Sequence, residues 1–294
     1  MGILESTANA ADLIEVARTT LPPAVADTWI GLLRPAVRFR RAEVGDVVVG
    51  QLGGAPALPE DLEWPRSTAG RPLGFVAGVD LARVPTGSLD IPLPADGRLL
   101  MFYRDPSEDP DKRFWISDPV PVRQPPTGHL VFGPAGTQTT TRTEPGAAVY
   151  PEIPLAMEVT ATGPDWDHPA LEQAVADLSE ADRRFMAEPS NSDDFRDELS
   201  MRTETPHHYL GGYAHPVQRS VEFAAAMQRL GSGVSSSDPA LWDEARQWTS
   251  LMQIDSDDDA EMMWGDSGSL YWVIRRDDLA AGRFDAAAFL FQCH

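Results

Sequence analysis

Three histidines, His207, His208 and His215, fall within nine residues, with Tyr209 and Tyr213 among them. Neutral imidazoles can take up protons or ligate a metal. Successive strand residues point to opposite faces, so only one of His207 and His208 can face a shared pocket. An acidic run follows. Asp255, Asp257 and Asp259 have the D-x-D-x-D spacing of oxygen ligands in a calcium loop, and Asp266 stands where the last ligand would be. Ala260 replaces the glycine of the sharp turn, and Asp266 is shorter than a bidentate glutamate. Two readings follow: a weak metal site at Asp255, Asp257 and Asp259, or a solvated acidic loop. Asp266, in Trp264-Gly265-Asp266-Ser267-Gly268, either accepts backbone N–H groups in a turn or faces a ligand beside Trp264. Ser267 lacks the spacing of a nucleophile elbow, and no third element completes a catalytic triad. A hydrolase would have to draw on a histidine from 207–215 together with Asp255 or Asp266.

A pattern that occurs twice suggests how these residues are positioned. Gly53-Gly54, the apolar run Phe75–Asp80 and Gly97–Arg104 are echoed by Gly211-Gly212, Leu251–Asp255 and Gly268–Arg275. The last segments share the frame G-x-L-x-x-x-x-R, and Arg-Phe pairs follow at 113–114 and 283–284. Such self-similarity predicts one supersecondary unit used twice. The glycine pairs precede proline rather than a helix, so they offer no helix N-terminus for phosphate, and no cofactor is expected. Trp64, Phe75, Trp264, Tyr271 and Trp272 are expected in the core rather than on a stacking platform.

Short β-branched and apolar runs predict strands at 37–41, 46–51, 73–80, 98–104, 113–121, 128–132, 153–161 and 286–292, with a solvated hairpin loop at 105–112. Helical spacing predicts two helices within 7–33, the first capped by Thr7 and the two separated at Leu21-Pro22-Pro23. Further helices are expected across 166–203 and at 219–230, 238–247 and 276–281. The expected fold class is α+β, a largely antiparallel β-sheet built from two pseudo-repeats, with N-terminal helices and a central helical segment. The chain reads as one composite domain, 1–294. Within it lie N-terminal helices (1–35), a first β-rich pseudo-repeat (36–165), an acidic helical connector (166–204) and a second pseudo-repeat (205–294).

Charge excludes some partners. The formal net charge of −21 opposes DNA, RNA and anionic lipid, which gain affinity from lysine and arginine. It favours a basic protein partner or a soluble protein with a solvated acidic face. Residues 161–200 hold eleven acids against three arginines. The single cysteine, Cys293, rules out an internal disulfide and fits a reducing compartment. The first residues lack a basic and apolar leader, so the expected location is cytoplasmic. No apolar run reaches membrane-spanning length.

The pieces GGAPALP (53–59), Trp64-Pro65, Gly70–Phe75, His207, Gly211-Gly212-Tyr213, Pro216-Val217-Gln218, LMQIDSDD (251–258) and WGDSGSLYWVIRRDDL (264–279) resemble the YwqG-like family, a bacterial family of unknown function, from about residue 45 onward. Trp64, Arg71, His207, Tyr213, Gln218, Trp264 and Asp266 fall in these pieces, and with His215 they make the candidate ligand-binding set. The chain departs from the family at Gly78, where glutamine is expected, and at Ala214-His215, where proline and an acid are expected. The resemblance implies an α+β fold with internal duplication and no established activity. The leading expectation is a non-enzymatic binding protein, in one version an immunity-type antagonist of a basic toxin.

Overall fold

The computed structural model describes residues 7, 9–67, 69–104, 128–231 and 233–294. Two helices open the described chain. Helix α1 (Ala10–Thr20) buries Leu13, Val16 and Ala17, and α2 (Pro23–Gly31) buries Trp29. Asn9, not Thr7, occupies the first N-cap position, and its side chain makes no cap bond. Instead its amide brackets Ala161, donating to the carbonyl and accepting from the N–H, both at 2.8 Å.

Twelve strands follow among the described residues: β1 (Arg34–Arg41), β2 (Gly50–Leu52), β3 (Ala57–Pro59), β4 (Gly74–Asp80), β5 (Arg98–Tyr103), β6 (Gly128–Gly133), β7 (Thr139–Thr141), β8 (Ile153–Thr162), β9 (His208–Gly211), β10 (Trp248–Asp255), β11 (Ser269–Arg275) and β12 (Ala288–Gln292). Helices α3 (Pro169–Val175), α4 (Glu180–Ala187) and α5 (Asp193–Arg202) fill the segment before β9. Helices α6 (Val221–Leu230) and α7 (Pro239–Ala245) precede β10, and α8 (Arg276–Ala280) follows β11. The fold is mixed α and β with a largely antiparallel sheet, as expected. The expected strand at 46–51 is displaced to β2, and the residues before it leave Val44 and Val47 exposed. The expected strand at 113–121, the hairpin loop at 105–112 and the Arg113-Phe114 pair lie outside the described residues.

Ten of the described strands form one sheet in the order β12-β11-β10-β9-β1-β8-β2-β4-β5-β6, while β3 and β7 make a separate pair. Every pairing among the described strands is antiparallel. The central pair, β1 with β8, runs in register from Arg34 opposite Thr162 to Arg41 opposite Leu155. The sheet curls until its two edges meet through side chains. Phe132 of β6 stacks on Phe284 at 4.5 Å, and Tyr103 lies 5.5 Å from Phe289 of β12. Gly128 is required here, because the Phe289 ring occupies the place of any Cβ.

Strand alternation sorts the core into layers. Leu99, Met101, Leu270, Trp272 and Ile274 face inward with Val37, Phe39, Leu52 and Ile254, forming one core across the whole sheet. Leu100 and Phe102 face outward under the segment that carries Leu58, Trp64 and Leu73. Tyr271 and Val273 face outward under α6 and α7. Helices α1, α2, α3 and α5 cover the middle of the outer side through Trp29, Leu171 and Phe195. Among the described residues, no helix is long and apolar enough to cross a membrane.

Candidate functional site

The outer face of β9, β10 and β11 carries a polar row. Gln253 stands opposite Tyr209 on one side and Tyr271 on the other, and Asp255 stands opposite Ser269. After β9 the chain turns at Gly211 and Gly212, with φ of 71° and 65°, a left-handed conformation that glycine adopts without strain. It then folds back over this row. Gln253 holds the returning segment much as a strand partner would. Its carbonyl accepts the His215 N–H (2.8 Å) and its amide donates to the His215 carbonyl (3.2 Å), which also accepts from the Tyr271 hydroxyl (2.9 Å).

Asp255 is the centre of the cluster. Its Oδ2 accepts the His207 backbone N–H (2.7 Å) and lies 3.0 Å from His207 Nδ1. Its Oδ1 accepts from Ser269 Oγ (2.6 Å) and Gln253 Nε2 (2.7 Å). Burial alone would raise this carboxyl, but His207, Ser269 and Gln253 outweigh it and hold the group below the usual carboxylate range. The His207 and His215 rings stack face to face, 4.2 Å apart and 4° from parallel. Burial, with the His207 ring next to it, pushes the His215 imidazole down to about 3, so His215 is neutral at pH 7. Tyr209 lies alongside both rings at 5.9 Å, and burial raises its hydroxyl to about 12. With Nδ1 turned to Asp255, His207 Nε2 is buried and meets no hydrogen-bond partner.

His208 faces away from the stack. Its Nδ1 accepts the Asp255 N–H (3.2 Å), which leaves Nε2 as the protonated nitrogen, 3.1 Å from Asp257 Oδ2. The His208 N–H holds the Asp257 carboxyl below its ordinary value. Asp257 Oδ1 also caps the short 3-10 turn Asp258–Ala260, accepting from the Asp259 and Ala260 N–H groups. Asp259 is exposed and lies 3.6 Å from Arg41. The three aspartates of the D-x-D-x-D run therefore have separate partners. Among the described residues, no group of three or more His, Cys, Asp or Glu side chains is placed to hold a metal ion.

The other candidates are dispersed. Trp64 is buried on the outer side of the first half, its indole N–H donating to Leu73 O (2.8 Å) and its ring edge-on to Phe102 (5.5 Å). Arg71 lies in the same segment, where its backbone N–H donates to Ser67 Oγ (3.3 Å). Gln218 ties the returning loop to the last strand, with its N–H on Gln292 Oε1 (2.9 Å) and its amide on Cys293 O (2.8 Å). Trp264 is in the inner core, edge-on to Tyr103 (5.2 Å) and Tyr150 (5.5 Å). Asp266 is exposed in a turn made by Gly265 and Ser267, both with positive φ. Among the described residues the Asp266 carboxylate accepts no backbone N–H, contrary to the capping role expected for it; Asp257 caps a different turn, 258–260.

Tyr213 joins a second buried polar cluster that the sequence did not announce. Its ring is edge-on to His168 (4.7 Å) and lies under the Arg34 guanidinium (5.0 Å), which is paired with Asp90. His168 Nδ1 accepts the Ala170 N–H (3.0 Å), so Nε2 carries the proton and faces Glu222 Oε2 at 3.2 Å. Ser220 Oγ donates to the same oxygen (3.1 Å), while Glu222 Oε1 is buried without a partner. Burial alone would raise the Glu222 carboxyl; His168 and Ser220 bring it down to about 2. His168 also caps α3 and Ser220 caps α6, so the pair joins two helix starts. The only sequence signals were a histidine before Pro169 and a serine before an apolar helical run.

The family described as "Domain of unknown function (DUF1963)" matches residues 50–293. No curated protein matches the chain.

Proposed function

The chain belongs to the DUF1963 family, a domain of unknown function, and from that premise we propose that it is a non-enzymatic interaction protein that binds a basic protein partner through its acidic helical layer. The observation that carries this reading is the outer face of α3 to α5. Glu172, Asp177, Glu180, Glu188, Asp193, Asp194 and Asp197 are exposed there, while the opposite face packs Leu171 and Phe195 onto α1 and α2. An acidic surface of this kind attracts cationic partners over about one Debye length, ~10 Å at 0.1 M salt. The polar cluster around Asp255 supports the same reading, because nearly all its groups are consumed in fastening residues 207–218 to the sheet.

The motifs quoted above support placing the chain among YwqG-like bacterial proteins, and its lone cysteine fits a cytoplasmic setting. Strand order supports internal duplication. From the central β1–β8 pair, β9 to β12 run outward on one side in chain order, and β2, β4, β5 and β6 on the other. Each series begins with a strand ending at a positive-φ glycine pair, and each has an irregular register in its next pairing, at Ser250/Met252 and at Phe75/Ala77.

The test uses cytochrome c as a basic probe over a salt series. The triple variant Asp193→Asn, Asp194→Asn, Asp197→Asn is expected to weaken binding about fivefold or more, since surface charge pairs contribute up to about 1 kcal/mol each. The control Asp258→Asn, Asp266→Asn, Asp277→Asn removes the same charge elsewhere and should bind like the wild type. Equal weakening by both sets, or binding indifferent to salt, would remove the helical layer as the binding surface.

The His207–Asp255 pair favours a second reading, a hydrolase in which His207 Nε2 takes a proton from water or a substrate hydroxyl. Under this reading, turnover of chromogenic esters or phosphoesters is abolished by His207→Ala. Undiminished turnover in that variant, or none in the wild type across such substrates, eliminates it.

A further inference from the structure

A cavity of about 250 Å3 opens on the outer face of the first half of the sheet. Leu100 lines it from β5, Ala57, Pro59 and Thr139 from the β3–β7 pair, and the turn at 133–137 closes another side. Asp80, Asp96 and Arg98 supply its charged groups. Asp80 and Arg98 are direct cross-strand neighbours and would ordinarily pair. Here Asp80 is taken by other groups: its Oδ1 accepts the Ala82 N–H (3.2 Å), and Arg83 Nε lies 3.4 Å from its Oδ2. Among the described residues, Arg98 and Asp96 have no ion pair or side-chain hydrogen bond. The cavity lining therefore includes an unpaired guanidinium and an unpaired carboxylate, both on exposed residues.

The other half of the sheet carries different groups at the matching positions. Asp255 opposite Ser269 and Gln253 opposite Tyr271 stand where the first half has Asp80 opposite Arg98 and Gly78 opposite Leu100. Around Asp255, the chain's own His207 and His215 fill the slot and the long polar side chains hold them. In the first half, Leu100 instead packs under the segment that carries Leu58, Trp64 and Leu73, and the cavity lies beside that packing, toward Arg98 and the turn at 133–137. What remains is a small chamber with an apolar floor and both signs of charge at its rim.

We propose that this chamber binds a small dipolar molecule of the amino-acid class, its carboxylate meeting Arg98 and its ammonium group meeting Asp96. A simple organic anion would satisfy Arg98 but face the Asp96 carboxylate, and a simple amine would face the guanidinium. The site is separate from the acidic helical layer and stands or falls independently of it.

Saturation-transfer NMR and calorimetry with 4-aminobutyrate, L-alanine and L-lysine at millimolar concentration test the proposal, with butyrate and butylamine as single-charge controls. At least one dipolar probe is expected to bind more tightly than both controls. Arg98→Ala is expected to weaken it about tenfold or more, because a charge-assisted hydrogen bond is lost. Asp96→Asn should weaken it as well. Arg98 is exposed and unpaired, so the melting temperature of Arg98→Ala should match that of the wild type, which separates lost binding from lost folding. The proposal is overturned if no dipolar probe binds, if butyrate or butylamine binds as well as the dipolar probes, or if Arg98→Ala binds like the wild type.

Discussion

Replacing Asp255 with alanine is expected to lower the unfolding free energy by about 3–5 kcal/mol, the cost of removing one member of a buried, charged hydrogen-bond set. The carboxylate receives the His207 N–H, Ser269 Oγ and Gln253 Nε2, and its loss strands all three donors away from water. It also frees Gln253 to turn away from His215, so the segment 207–218 should loosen first. Urea denaturation measures the total, and hydrogen exchange at the His207 and His215 amides locates it. The pH dependence has a definite sign. The folded-state value of this carboxyl lies below its ordinary 3.8, so its contribution is complete above the unfolded value and is lost as pH falls through the folded one. Asp255→Ala should therefore lose more stability at pH 7 than at pH 2. A cost below about 1 kcal/mol would mean that solvent already serves these donors.

Glu222 carries the second large expectation. Its carboxyl moves from an ordinary 4.5 to about 2 on folding, which corresponds to about 3 kcal/mol at neutral pH. The folded value is the lower one, so this stability is present above about pH 5 and disappears progressively as pH falls toward 2. Glu222→Ala is expected to cost about 3–5 kcal/mol, because His168 and Ser220 then lose their buried acceptor. The double change Glu222→Leu with His168→Leu should recover most of that loss. A buried pair replaced by apolar groups is often close to neutral, leaving mainly the α3 cap, at about 1 kcal/mol. If the double variant is less stable than Glu222→Ala alone, the pair contributes beyond its own internal balance. Chemical denaturation at pH 7 and pH 3 distinguishes these outcomes.

The strands from β4 outward were legible because each is an apolar run bounded by proline or glycine. The runs predicted at 73–80, 98–104, 128–132 and 153–161 match β4, β5, β6 and β8 within one residue or so at each end. The start of β1 was hidden by its arginines. Arg34 and Arg38 look like surface residues, but both are buried because Asp90, Glu158 and Glu204 reach them from distant parts of the chain. Strands β3 and β7 are three residues each, one ending in proline and the other an exposed threonine run, so neither has an alternation to detect. At the polar cluster, the histidines and the acidic run were visible as residue types. Their union was not, since His207 and Asp255 are 48 positions apart and only the register of β9 on β10 joins them. The tie between His168 and Glu222 had no local signature, because it depends on how two helix starts meet.

The partners at the middle of the sheet also set an order of events during synthesis. Arg38 and Glu158 are 120 positions apart, so at about 5–20 residues per second the first strand leaves the ribosome roughly 6–24 s before its mate exists. Throughout that interval its backbone is a bare template on which another nascent chain could build. The arginines at 34, 38, 40 and 41 flank and interrupt the apolar residues of that stretch, as gatekeepers do. The charges that concealed this strand from pattern reading thereby guard it from aggregation until translation delivers residues 153–162.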